Sequence, residues 1–128
     1  MPITFELDRA RGQLRTTVHG SVTVDDVRAH AEALVREKAL GYADLIDARA
    51  AKGPGLFSGD IQQIAQLIGT LHDDFAMGPR AIVVGTNSAY GMVRMLAALA
   101  SAWTTIEVFR DWDAAERWLA GSGSNRIA

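Results

Sequence analysis

The unbroken apolar run "AIVVG" at Ala81–Gly85 constrains this chain more than any other stretch. A strand without polar alternation must be covered on both faces, as central strands of parallel sheets are. Parallel strands cannot be joined by a tight turn, so a crossover helix is expected on each side of it. Upstream, a helix is expected from about Ser58 to Phe75, with Ile61, Ile64, Ile68, Leu71 and Phe75 along one stripe and Gly78-Pro79 after its end. Downstream, "NSAYGMVRMLAALASA" reads as another helix, capped by Asn87 or Ser88.

The rest of the chain extends the same alternation. "ITFEL" (Ile3–Leu7) and "QLRTTVHG" (Gln13–Gly20) are β-type runs joined by a turn containing Gly12. In the second run Leu14, Thr16 and Val18 face one way and Arg15, Thr17 and His19 the other, so one face is wetter. Thr23 and Asp26 have capping-box spacing, Val22 can staple onto Val27, and Val27, Ala31, Leu34 and Val35 recur at helical spacing. Gly41 is expected to close this first helix. "YADLID" (Tyr42–Asp47) is the third strand and "TIEVFRD" (Thr105–Asp111) the last. "DAAERWLA" is the final helix, started by an Asp113–Glu116 capping box. The order ββαβαβαβα implies one α/β domain over 1–120, with about five mostly parallel strands and four helices. The remaining 121–128 have linker composition and are expected to be a flexible tail.

Composition narrows the functional classes. With 128 residues, 48% hydrophobic and 22% charged, the chain suits a folded soluble domain. It has no cysteine, which removes thiol chemistry and disulfides. A net charge of −2, with arginines scattered along the chain, gives no electrostatic reason to expect nucleic acid. No basic-then-apolar leader opens the sequence, and the longest apolar run carries Arg94 and is too short to cross a bilayer. A cytoplasmic protein without an integral membrane segment is expected.

Four segments taken in order, "LIDAR" (Leu45–Arg49), "AIVVG" (Ala81–Gly85), "YGMVRM" (Tyr90–Met95) and "VFRDWDAAERWL" (Val108–Leu119), resemble the STAS-like domains. That superfamily includes the SpoIIAA-like sporulation anti-sigma-factor antagonists, and the likeness is to a small stand-alone bacterial branch. It runs from Ile3 to Leu119. It implies a single-domain SpoIIAA-like fold and a non-catalytic role in binding or regulation. Signalling members carry a phosphorylatable serine at the start of the helix after the third strand, in an Asp-Ser-Ser/Thr-Gly-Leu pattern. Here Asp47 is followed by Ala48 and Arg49, and Ser58-Gly59 matches the helix start without reproducing the motif.

Two readings of Ser58 follow. As a helix N-cap its hydroxyl would accept a backbone N–H, although Asp60 and Gln63 have competing capping-box spacing. As a phospho-switch, or an anion position with Gly59, it would place negative charge at the positive helix end. The glycines of "GPGLFSG" lack the strand order of a dinucleotide site and the Lys-Ser/Thr pair of a P-loop. The Lys52–Gly59 loop, with Lys52, Leu56 and Phe57, is therefore read as a contact surface or gate. His19, His30 and His72 have no metal-ligand spacing, and His30 with Asp26 reads as a solvated helix pair. No nucleophile elbow is present. No metal, cofactor or catalytic residue is expected.

The helix after "AIVVG" is apolar around most of its circumference, with Met92, Val93, Met95, Leu96, Leu99 and Trp103. One stripe must pack on the sheet, and the other needs a neighbouring helix, a partner subunit or an apolar ligand. Tyr90, Met92 and Met95 are its candidate contact residues. The expected function is a binding or regulatory module working through protein contact, as a homodimer or with another protein. A carrier of a small apolar, lipid-like or anionic ligand is second, and an enzyme of unknown activity third.

Overall fold

The computed structural model describes residues 2–52 and 58–127, without the side chains of Ser58 and 122–127. The elements are β1 (Ile3–Asp8), β2 (Gln13–Gly20), α1 (Val24–Arg36), β3 (Ala43–Ala51), α2 (Ser58–Asp74), β4 (Arg80–Val84), α3 (Asn87–Leu99), β5 (Ile106–Phe109) and α4 (Trp112–Ile127). This is the expected ββαβαβαβα order. The sheet order is β1-β2-β3-β4-β5. β1 is antiparallel to β2, and the other three pairings are parallel, so the sheet is mixed and mostly parallel.

Three helices cover one face. Ile64 and Ile68 of α2 share a core with Ile106 and Ala100, joined by Val27 of α1 and Val93, Leu96 and Ala97 of α3. Leu34, Ala39 and Leu40 close on Leu14, with Phe5 and Leu7 of β1 beside them. On the opposite face α4 works alone: Ala115 and Leu119 seal Ala43, Leu45, Ala81 and Val83, with Phe109, Trp112 and Trp118 at the margin. β4 is thus covered on both sides, as its unbroken apolar run requires. β2 alternates buried and exposed positions, with its wet face open beside α4.

Several boundaries differ from the sequence reading. The Thr23–Asp26 capping box forms as expected, with Thr23 N–H donating to Asp26 at 2.9 Å and Asp26 N–H to Thr23 at 3.1 Å. α1 then ends at Arg36 rather than Gly41. Lys38 takes a left-handed φ of 56°, its N–H donates to Val35 and the Ala39 N–H to Leu34, which is a Schellman closure. α3 is capped by Thr86, whose hydroxyl accepts the Ala89 N–H at 3.1 Å, and not by Asn87 or Ser88. Asp111 caps α4 by accepting the Ala114 N–H at 3.0 Å, so the Asp113–Glu116 box is displaced by two residues. α2 stops before Phe75, which is exposed. α4 carries on through 121–127, where composition placed a tail.

β3 is longer than expected. A register shift between Thr17 and His19 lets β2 keep pairing, so His19 meets Ala50 and Gly20 meets Ala51. Ala48–Ala51, past the expected strand end at Asp47, are therefore strand as well. Gly78 sits where a Cβ would come within 2.3 Å of the Tyr42 carbonyl oxygen, and this close approach requires glycine.

Candidate functional site

The four helices all begin at the C-terminal edge of the strands that precede them, so their N-termini gather at one end of the sheet. Strand order follows chain order without reversal. Open α/β sheets bind ligands in the crevice where strand order reverses, and this sheet has no such crevice. What lies at this end is a cleft of about 300 Å³ between the starts of α1 and α2, lined by Thr23, Val24, Asp25, Asp60 and Gln63. Asp25 is engaged by Arg28 at 2.7 Å. Among the described residues, no group of three or more histidines and carboxylates converges as a metal site would.

Ser58 is the first residue of α2, and Gly59 follows it, exposed, with no atom of the described residues within 4 Å of where a Cβ would stand. Among the described residues nothing at that point demands glycine. Leu56 and Phe57 lie outside the described residues. Lys52 is exposed directly after β3 and is tied by its backbone N–H to the Gly20 carbonyl at 2.9 Å. Asp47 lies within β3, held by Arg49 through Nε at 2.9 Å and a terminal nitrogen at 2.8 Å. Those hydrogen bonds keep the Asp47 carboxyl below the usual carboxylate range. Arg49 and Arg15 both lie over the Trp112 ring, at 5.0 and 5.5 Å, and Arg15 approaches Glu116 at 3.7 Å. The cluster joins β2, β3 and the start of α4, and its two arginines are matched by two carboxylates.

A second polar cluster is buried under the helices. The Thr16 hydroxyl donates to Asp44 at 2.9 Å, while the other Asp44 carboxylate oxygen has no hydrogen-bond partner among the described residues. Burial raises the Asp44 carboxyl, against the pull of Arg80 and Thr16. Arg80, its register partner across β3 and β4, donates to the carbonyls of Gly78 and Leu40 at 2.6 and 3.2 Å. His30 is not the solvated partner of Asp26. Its ring meets Phe5 edge-on at 5.4 Å, and Asp26 is occupied by the capping box. Burial, with the positive charge of Arg80, lowers His30 to about 4. Position 30 falls three residues after Val27 and four before Leu34, so the spacing that defined the apolar stripe also included it. Arg80 carried no such signal, since it reads as one more scattered arginine before a strand.

The outward surface of α3 is the remaining candidate. No α3 side chain is fully buried. Val93, Leu96 and Ala97 turn to the core, Tyr90 and Met92 are half-buried, and Met95 and Leu99 are 41% and 43% exposed. Phe75, just past the end of the neighbouring α2, is 41% exposed. The structure thus places Tyr90, Met92 and Met95 on one helix, with Met95 the outermost. No helix of the described residues is long and apolar enough to cross a membrane.

No family model matches this chain, and no curated protein does. Among solved structures it is similar to an uncharacterized DUF3478-family protein with a SpoIIAA-like fold from Shewanella loihica PV-4. The identity is 19% and the TM-score 0.63, over 91% of this chain and 93% of that one. At that identity the likeness speaks for the fold, and the fold of this chain is SpoIIAA-like, as the segments around Leu45, Ala81, Tyr90 and Val108 implied.

Proposed function

We propose that this domain is a non-catalytic, STAS-like binding or regulatory module that acts through protein contact, with the outward side of α3 as its contact surface. The observation that carries the reading is the exposure of Met95 and Leu99 on a helix that buries none of its side chains completely. Apolar area left in water gives up about 25 cal/mol per Å² that a partner would recover. Methionine adapts its shape to a partner, and arginine, here the neighbouring Arg94, is enriched where proteins meet. The carrier reading ranks lower. The cleft at the helix starts presents the Asp25 and Asp60 carboxylates, which oppose an anion, and its polar lining suits an apolar chain poorly.

A photo-cross-linking amino acid at position 95, compared with one at the exposed Glu6 on the far face, tests the reading in cells. A discrete heavier product from position 95 alone is expected. Equal labelling from both positions, or none from position 95, removes α3 as the contact surface.

A further inference from the structure

We infer that His30 is an acid-sensitive latch: the neutral ring holds α1 against the sheet, and its protonation releases α1 while the rest of the domain stays folded. α1 lies at the edge of the helical layer, against β1 and α2. The chain leaves the sheet for α1 at Gly20 and turns back at Lys38, both in the left-handed region, with φ of 69° and 56°. Between those bends the buried apolar residues are Val22, Ala31 and Leu34. α1 adds half-buried Val24 and Val27 to the margin of the core around Ile64, Ile68, Ala100 and Ile106, and it adds nothing to the core under α4. Its release uncovers Phe5, Leu7 and Leu14 at the β1–β2 end of the sheet.

The ring of His30 meets Phe5 edge-on at 5.4 Å and makes no hydrogen bond or ion pair among the described residues. The elements around it leave a proton without a counter-charge. On β1 the face that carries Phe5 also carries Ile3 and Leu7, while Glu6 lies on the other face. β2 brings Leu14 and Thr16, and β3 brings Asp44, which accepts from Thr16 and stands beside Arg80 in the register. β4 brings Arg80 itself, a cation. α2 has no charged residue from Ile61 to Leu71. On α1 the carboxylate one turn before is Asp26, which already accepts the Thr23 N–H at 2.9 Å. Arg28 and Glu32, two residues to either side, are exposed, and Glu37 is paired with Arg9 at 2.9 Å. A protonated ring is thus a half-buried charge in the field of Arg80, and moving it into water relieves both costs. With α1 released the ring regains its ordinary value of 6.5, against about 4 when closed. Between those values the released form takes up a proton that the closed form refuses, so acid drives α1 outward. Asp44 works in the opposite sense, since its raised carboxyl takes up a proton in the closed form, and it tempers the response.

Hydrogen exchange of the whole chain at pH 7 and pH 4.5, corrected for the intrinsic pH dependence of exchange, reads the latch. Opening across Val24–Arg36 is expected to rise about tenfold or more at pH 4.5, with α2 and α4 changing far less. In His30→Gln, whose side chain stays neutral, that rise in α1 is expected to disappear. A thermal melt at pH 7 shows that the variant is folded, and the comparison of α1 with α2 in the unaltered chain stands without it. Equal loss of protection in α1 and α2, or an unchanged α1, overturns the inference. So does a His30→Gln chain whose α1 opens in acid as the unaltered one does.

Discussion

His30 and Asp44 each sit where burial disfavours their charged form, and they respond to pH in opposite senses. His30 is lowered to about 4 in the fold from 6.5 in the open chain. Between those values the unfolded chain takes up a proton that the fold rejects, so stability rises with pH across that window. The His30 contribution is complete above about pH 6.5 and is lost as pH falls toward 4, on the order of 1–2 kcal/mol once the partial exposure of the ring is allowed for. Asp44 is raised in the fold, so its ionisation costs stability as pH climbs through the raised value. Arg80 is the charged group acting on both. The expected result is that, between pH 7 and pH 4, the melting temperature of the unaltered chain drops relative to that of His30→Gln, since the opposing Asp44 contribution is common to both. An NMR titration of the His30 ring with its midpoint near 6.5 would contradict this. These two sites were only partly legible in the sequence. His30 shares the spacing of the α1 stripe, but periodicity does not say whether an imidazole on that stripe faces water or Phe5. Asp44 is the polar residue inside "YADLID", and only the pairing of β2 with β3 brings Thr16 to it.

At the scale of elements, the alternation of strand and helix was legible because each period is repeated several times, while the ends rest on single residues. Thr23 is legible as a cap because Asp26 stands three residues on to complete its capping box, where the nearby Ser21 has only Val24. Before α3, Thr86, Asn87 and Ser88 are all competent, and the end of β4 at Val84 decides which of them stands at the helix start. The same holds for Asp111 and Asp113 before α4. At the end of α1 the sequence offers Gly41, yet the chain closes three residues earlier on Lys38 with φ at 56°. Stopping there lets Ala39 and Leu40 turn into the core beside Leu34, and that burial outweighs the strain of a lysine in the left-handed region. Lys38→Gly removes the strain and leaves the closing hydrogen bonds in place. A stabilisation of about 1 kcal/mol is expected, raising the melting temperature by roughly 4 °C. A loss of stability would mean that the lysine side chain makes a contact worth more than the strain.

For the molecule as a whole, strand order sets how the two faces are covered. Because the strands follow one another in chain order, the three crossover helices share a face and α4 alone is left for the other. The sequence showed four helices and an all-round apolar α3, but not which face each helix would take. That left open whether Met95 and Leu99 would be packed or exposed. The structure separates two leucines of similar local setting: Leu119 on α4 is 2% exposed and Leu99 on α3 is 43% exposed. Leu119 is sealed against β3 and β4 with no other helix to close over the gap, so Leu119→Ala leaves a cavity and is expected to cost about 3 kcal/mol. Leu99→Ala removes area that water already reaches, and at dilute concentration it should cost about 0.5 kcal/mol or less. Urea unfolding of both variants at a concentration where the chain is monomeric measures the difference. Equal costs would place Leu99 inside a packed core and leave α3 no free face to offer. A large cost at Leu119 beside a small one at Leu99 assigns the first to holding the fold and frees the second for contact with another chain.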